Sequence, residues 1–453
     1  MAERDGQLDR WIERQYRHAA AAMLPSLSPV GIVKQRPGFG QTVQPKRGSI
    51  VASPVLAAYD PDPDYFFHWF RDSAVIIDAL RLLRADGVVA EGLALEYFRD
   101  FVTFSLQLLD LDGRQWVAES GWRAGVQADF QKFVRSNEDL GAIRGALVSA
   151  EARVNPDGSL DISNWARPQH DGPPLRLLAV LRWVRDVPFD PALAAAVDQL
   201  LRADIAFILE RWRMASFDIW EEEKGYHYYT LRVAAEALDQ AASWLGNPEE
   251  AQRCRADSHE ILARLDGYWL PDAGYYSSRI LEDNARSKKE LDIALVFAAI
   301  HGAGEQAQHS VHDPRMQATL ARLEALFDAE YAINRNRPAG RGPAMGRYKG
   351  DVYYSGGAYY FSTLAAAEFC FRAALGKHLG PEETHTWLER GDAYLETVRT
   401  YTPPSGDLSE QFDQVSGAQT SAKHLAWSYA AFISTAITRR DAYRDSGKSA
   451  RGA

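Results

Sequence analysis

The sequence predicts an all-α protein, a double-layered α/α toroid in which an inner ring of helices is wrapped by an outer one. Three observations lead there. Apolar residues recur at i, i+3 and i+4 over about twelve segments, while alternating strand patterns are sparse. The helices so marked are of two kinds. LARLEALFDAEY and EEAQRCRADSHEILARL carry a single apolar stripe, whereas YYFSTLAAAEFCFRAAL and AKHLAWSYAAFISTAI are apolar or small nearly all round. A helix hydrophobic on every side must be covered on every side, so the second kind belongs to an inner layer. Finally, no fixed period of 20 to 50 residues supports the competing helical architecture, a stacked solenoid.

In chain order the periodicity places helices near 5–24, 71–86, 91–110, 172–186, 190–213, 229–245, 248–266, 288–302, 314–329, 358–376, 381–400 and 420–438. Asp171-Gly172-Pro173-Pro174 and Asn247-Pro248-Glu249-Glu250 each set a capping side chain before proline in the first turn. Gly246 and Gly376 mark helix ends. Between the helices lie long loops at 25–64, 111–170, 214–228, 267–287, 330–357 and 401–419, rich in Trp, Tyr, Gly and Asp. Loops of that length in a compact domain are usually functional or disordered, and their composition favours function. No linker breaks the chain, so residues 1–453 are expected to form a single domain.

Composition narrows the partners. A net charge of −10 argues against a phosphate backbone, which is bound by clustered Lys and Arg. No apolar run reaches the roughly 20 residues of a bilayer span, and MAERDGQLDRWIERQ alternates acids and bases instead of forming a secretory signal. A cytoplasmic monomer with no nucleic-acid or membrane partner and no cofactor or metal is the expectation. Cys254 and Cys370 sit in apolar helical patterns and read as reduced, packed thiols. The 12 Trp and 20 Tyr exceed what such a core requires. Rings with a polar edge suit a ligand that is apolar on one face and hydroxylated at its rim, which describes a sugar.

The loops carry the chemistry. DIWEEEKGYHYY places Glu221, Glu222 and Glu223 directly behind Trp220, where a solvated charge run is the usual reading. Glu410 stands in a second loop, ahead of an inner-type helix, with Gly417 at the turn between them. Cleavage of a glycosidic bond needs two carboxyls, one to protonate the leaving oxygen and one to activate water or attack the sugar. Further clusters join Trp or Tyr to Arg and Asp at helix mouths. HWFRDSAV supplies Trp69, Arg71 and Asp72; NWARPQHDGPP supplies Trp165, Arg167, Gln169 and Asp171; GRYKGDVYYSGGAYYFSTL supplies Arg347 and Asp351. Each could be a capped helix with a surface ion pair. Several converging at one end of a helical ring are better explained as a sugar site.

PDYFFHWFRDSAV, NWARPQHDGPPLR, DIWEEEKGYHYYT, GRYKGDVYYSGGAYYFSTLAAAE and LSEQFDQVSGAQTSAKHLAWSYAAF together resemble, in order, the five signature segments of the glucoamylases, the family 15 glycoside hydrolases. The resemblance implies an (α/α)6 barrel and an exo-acting, inverting release of glucose from the non-reducing ends of α-glucans. It makes Glu221 the general acid and Glu410 the general base. Glu222, Arg71, Asp72 and Arg347 match sugar-binding residues, and Tyr65, Trp69 and Trp165 match aromatic residues lining the pocket. Trp220, beside the acid, and Arg167, from the NWARPQ cluster, complete the candidate substrate-binding set. Glu223 matches no fixed acid and keeps the solvated reading.

Held against Trp220 and Trp165, Glu221 is expected to have a raised pKa while Glu410 stays ionised. Two departures from the family pattern, Tyr359 in GGAY and Tyr226-His227 behind the acids, put subsite shape in doubt, since both positions fall near the pocket in the resemblance. The length leaves no room for a starch-binding module, so soluble oligosaccharides are favoured over granules. Other α-glucoside specificities on the same scaffold, for isomaltose, dextran or trehalose, are the alternative, with a non-catalytic glucan-binding protein behind them.

Overall fold

The computed structural model describes residues 2–58, 61–302, 304 and 308–449. Its helices are α1 (Ala2–Met23), α2 (Phe70–Ala85), α3 (Glu91–Leu109), α4 (Gly113–Ser120), α5 (Asn137–Ala142), α6 (Gly172–Asp186) and α7 (Pro191–Arg211), followed by α8 (Tyr228–Trp244), α9 (Pro248–Asp266), α10 (Ala294–His301), α11 (Pro314–Glu330), α12 (Tyr360–Ala374), α13 (Pro381–Tyr401) and α14 (Ala426–Ser449). Helices α2, α6, α8, α10, α12 and α14 pack each against the next, and α14 meets α2 to close the ring. Around them, α1 packs on α14, α3 on α2, α7 on α6, α9 on α8, α11 on α10 and α13 on α12. This is an (α/α)6 barrel.

The two kinds of helix take the two layers because their burial differs. In α12 every residue but Arg372 is buried, so no face is left for water. In α9 the buried residues are Ala251, Cys254, Ser258, Ile261 and Leu265, one stripe at three- and four-residue spacing. Cys254 and Cys370 are both buried free thiols. One continuous apolar core runs from Leu8 on α1 to Ala442 on α14.

Two helix starts differ from the periodic pattern because backbone pairing outbids apolar spacing, and one expected loop holds helices. Helix α10 begins at Ala294, not near 288, because the chain before it is spent in cross-links: Ser278 N–H donates to Glu290 O (2.7 Å) and Ile293 N–H to Arg347 O (2.8 Å). Helix α14 begins at Ala426, not near 420, because Gln419–Thr420 pairs as a strand and Ser421 and His424 take left-handed backbone. The stretch 111–170 holds α4 and α5 over a second apolar cluster that includes Phe39, Phe104, Leu140 and Val148.

Capping shows a more informative departure. Asn247 caps α9 as expected, accepting from Glu249 and Glu250 N–H. Asp171 makes no side-chain cap on α6; its carboxylate instead takes a hydrogen bond from Arg71. Neither Gly246 nor Gly376 adopts a left-handed φ, whereas Gly417 does, at +74°.

Short antiparallel strands sit where the chain enters the inner helices. His68–Trp69, which leads into α2, pairs with Arg153–Val154. Lys224–His227, which leads into α8, lies between Ser216–Phe217 and Arg279–Leu281. Ala358–Tyr359, which leads into α12, pairs with Gln411–Phe412, itself paired with Gln419–Thr420. These ties hold the long loops over the N-terminal ends of the inner ring.

Candidate active site

The loop holding Glu221 is a closed turn. Asp218 N–H donates to Glu223 O (3.1 Å), Glu221 N–H to Asp218 O (2.9 Å), and the Asp218 carboxylate accepts from Glu222 and Glu223 N–H at 2.7 and 3.0 Å. Glu221 at its apex has φ +64°, a conformation that costs a non-glycine residue of order 1 kcal/mol and gathers at functional sites. The turn is anchored from behind by Gln169 Nε2 on Asp218 O (2.7 Å) and by Arg279 Nη1 on Asp218 Oδ2 (2.8 Å). Trp220 is fixed by donating its Nε1–H to buried Asp292 (2.8 Å).

Glu221 is thereby aimed at three donors. Trp69 Nε1 lies 2.8 Å and Arg71 Nη2 3.3 Å from its Oε1, and Trp165 Nε1 donates to its Oε2. Arg71 also donates to Asp171 (2.9 Å) and stands 3.8 Å from Asp72, while its Nε has no hydrogen-bond partner. One guanidinium thus serves three carboxyls, Asp72, Asp171 and Glu221. Burial, outweighing Arg71, lifts Asp72 to about 7.

Glu410 reaches the same cavity from the loop before α14. Its backbone is clamped by Ala422 O (2.7 Å) and by Tyr360 N–H (3.2 Å). Its carboxyl accepts from Ser421 Oγ and from Tyr65 OH (3.2 Å), whose hydroxyl also meets Tyr353 OH at 2.8 Å. Burial pushes it up to about 7, against the pull of Ser421, Arg347 and Tyr65. Glu410, the carboxyl expected from the sequence to stay ionised, is thus lifted by burial. Trp165 turns its N–H to the Glu221 carboxyl.

The cavity that joins them has a volume of about 240 Å³ and is lined by Tyr65, Trp69, Arg71, Asp72, Trp165, Trp220, Glu221, Glu222, Arg347 and Glu410. All the proposed site residues meet there except Arg167. That guanidinium turns away, bound to Glu151 (2.6 Å), Asp161 (3.0 Å) and the carbonyls of Ser163 and Trp165. It shapes the loop that presents Trp165, and its assignment as a sugar ligand is corrected accordingly. Glu223 is also not a solvated charge: it accepts from Arg279 Nη1 (3.0 Å) and Ser287 Oγ (2.7 Å).

The two departures flanking the site lie behind it. Tyr359 is fully buried under Trp220 and hydrogen-bonds Gln411 (2.8 Å), and His227 is turned to Ser216 O (2.9 Å). Neither lines the cavity. Residues that do, and that the sequence did not single out, include Tyr353 and Trp427. Trp427 stacks on Phe361 at 4.7 Å and closes the floor, with Arg71 5.6 Å from its ring. Its place in an all-apolar helix pattern disguised it as core.

Residues 129–379 and 382–437 match the sequence profile of glycosyl hydrolases family 15. Among similar proteins, a glucoamylase of Neurospora crassa is 28% identical over 86% of this chain, which spans 63% of that relative's length. A probable glucoamylase of Schizosaccharomyces pombe is 26% identical over 98% of this chain and 94% of its own. Of solved structures, the Hypocrea jecorina family 15 glucoamylase superposes with a TM-score of 0.77 at 24% identity, over 96% of this chain and 72% of that one. The glucoamylase from Saccharomycopsis fibuligera gives 0.75 at 19% identity over 96% of both. The same barrel, and a profile match across most of its helices and loops, place this chain in glycosyl hydrolases family 15.

Proposed function

We propose that this glycosyl hydrolase is a glucoamylase, releasing β-glucose from the non-reducing ends of α-1,4-glucans and maltooligosaccharides with inversion. The observation that carries this reading is the pair Glu221 and Glu410 lining one cavity, each held by its own set of donors. Arg71 and Asp72, buried at the inner end, would hold the hydroxyls of a terminal glucose; a chain end can reach them and a chain middle cannot. Glu221 would hand its proton to the glycosidic oxygen as the C1–O bond breaks. Glu410 would take a proton from the water that attacks C1 from the opposite face. The products leave Glu221 ionised and Glu410 protonated, and exchange with solvent resets the pair.

That cycle needs the proton on Glu221 and the charge on Glu410 when sugar is bound. Burial alone favours a protonated Glu410 below about pH 7. Substrate completes the assignment, because a glycosidic oxygen needs a donor at Glu221 and an attacking water needs an acceptor at Glu410.

The test is a panel of maltose, maltotriose, isomaltose, trehalose and soluble starch, with the product anomer followed by NMR. Preferred cleavage of maltooligosaccharides with β-glucose appearing first is expected. Initial α-glucose excludes inversion, and binding without turnover by the wild type returns the protein to a glucan-binding role.

A further inference from the structure

Beside Glu222, which lines the cavity, stands a lysine that the proposed function leaves unused. Side-chain exposure orders the groups of the site from inside to outside: Arg71, Asp72 and Glu221 are 6%, 8% and 7% exposed, whereas Glu222 and Lys289 are 26% and 25% exposed. Exposed Trp165 marks the same outer rim. If Arg71 and Asp72 hold the terminal glucose and Glu221 protonates the bond beyond it, the rim is where the leaving sugar lies.

Lys289 meets that rim from outside the cavity lining, through Glu222. Its backbone is pinned on both sides, by Ser278 Oγ donating to Lys289 O (3.0 Å) and by Lys289 N–H donating to Ser287 Oγ (2.9 Å). Ser287 in turn donates to Glu223, so this loop is tied to the turn that carries Glu221. The Lys289 ammonium lies 2.6 Å from Glu222 Oε2 and 4.6 Å from the centre of the Tyr348 ring. Tyr348 OH donates to the same oxygen.

Charge balance assigns the lysine its work. Arg347 is shared between Asp351 (2.7 Å) and Glu222 (3.0 Å), one guanidinium for two carboxylates. Lys289 is the second cation that makes the group of four neutral. An ammonium has three donors. Glu222 takes one and the Tyr348 face meets the cation, which leaves donor capacity at a position open to solvent and next to the leaving side. We propose that Lys289 is a specificity-determining residue, holding Glu222 in place and offering a charged donor to a hydroxyl of the sugar on the leaving side of the scissile bond.

This assignment rests on the proposed function. Its test compares wild type, Lys289→Met and Lys289→Arg by kcat/KM on maltose, whose leaving group is a sugar, and on p-nitrophenyl α-glucoside, whose leaving group has no hydroxyl. The ratio of the two constants cancels the fraction of active protein in each preparation. We expect the maltose-to-aryl ratio to fall about tenfold in Lys289→Met, mainly through KM, as loss of one charge-assisted hydrogen bond predicts. Lys289→Arg should recover it to within about threefold. A ratio unchanged in Lys289→Met, or as low in Lys289→Arg as in Lys289→Met, overturns the assignment. A wild type inert on both α-glucosides refutes the function itself, and is recognised before any variant is made.

Discussion

The two mouths of the barrel make an instructive pair. At the N-terminal ends of the inner helices the site is a cavity of about 240 Å³, while at the C-terminal ends a chamber of about 1010 Å³ opens between Asp78, Arg182, Glu236 and Arg372. The larger space is the poorer candidate for chemistry, because many of its charges are matched. Asp78 holds Arg81 at 2.7 Å and Arg182 at 2.6 Å, and Arg372 is paired with Glu368 at 2.8 Å. At the smaller mouth one guanidinium faces three carboxyls, and Glu410 is buried with only hydroxyl donors on it. Among the described residues, long loops supply most of the lining of the smaller, upper mouth and import acids that the helix faces do not neutralise. Volume does not mark the site; unbalanced, desolvated charge does.

Substitution at the upper mouth should give the largest effects. Glu221→Gln removes the proposed proton donor and should lower kcat on maltotriose roughly 10³-fold, at the upper part of what general acid catalysis contributes. Glu410→Gln should cost about 10²-fold or more in the same assay. Retention of activity within tenfold in either variant would refute the pair. Arg167→Ala tests a residue that supports the site without touching substrate. It should lower kcat/KM about tenfold through a displaced Trp165, and lower stability by about 3 kcal/mol in urea by leaving Glu151 and Asp161 short of a buried partner.

Titration separates the mouths again. Because Glu410 is lifted from 4.5 to about 7 by burial and must be ionised to act, kcat/KM should fall as pH falls, with a midpoint above that of an ordinary glutamate. Ser421→Ala, which removes a donor that favours the charge, should move that midpoint upward. The stability contribution of Glu410 has the opposite sign. Its folded pKa exceeds the unfolded one, so the native state is favoured below about 4.5 and loses that advantage as pH rises through about 7. The matched charges of the lower mouth should matter least to activity. Asp78→Asn is expected to leave kcat/KM within about twofold of wild type while lowering Tm. Asp78 is held below its usual range because Arg182 and Arg81 outweigh burial, so the stability it contributes is present above its unfolded pKa and is lost as acid protonates the folded group.

Much of this was legible in residue order. All-round apolar helices such as α12 announced an inner layer, and one-sided helices such as α9 an outer one. The Trp-Glu-Glu and Ser-Glu-Gln segments announced two carboxyls that line one cavity. What could not be read were the partners of each charge. Asp171 looked like a helix cap and serves Arg71, Arg167 looked like a sugar ligand and braces a loop, and Glu223 looked solvated and is held by Arg279. For Asp171 and Glu223 the deciding contact joins segments 100 and 56 positions apart, whereas Arg167 turns back into its own loop.

Layering, the sites of the long loops and the presence of an acid pair were determined by the sequence alone, because helical periodicity and burial are local properties repeated over many residues. Which acid is buried among weak donors, which is wrapped by Trp69, Arg71 and Trp165, and which charges cancel were decided by the tertiary structure. The reason is electrostatic: a carboxyl's behaviour follows from desolvation and from charges within a few ångströms, and only the folded barrel fixes those distances.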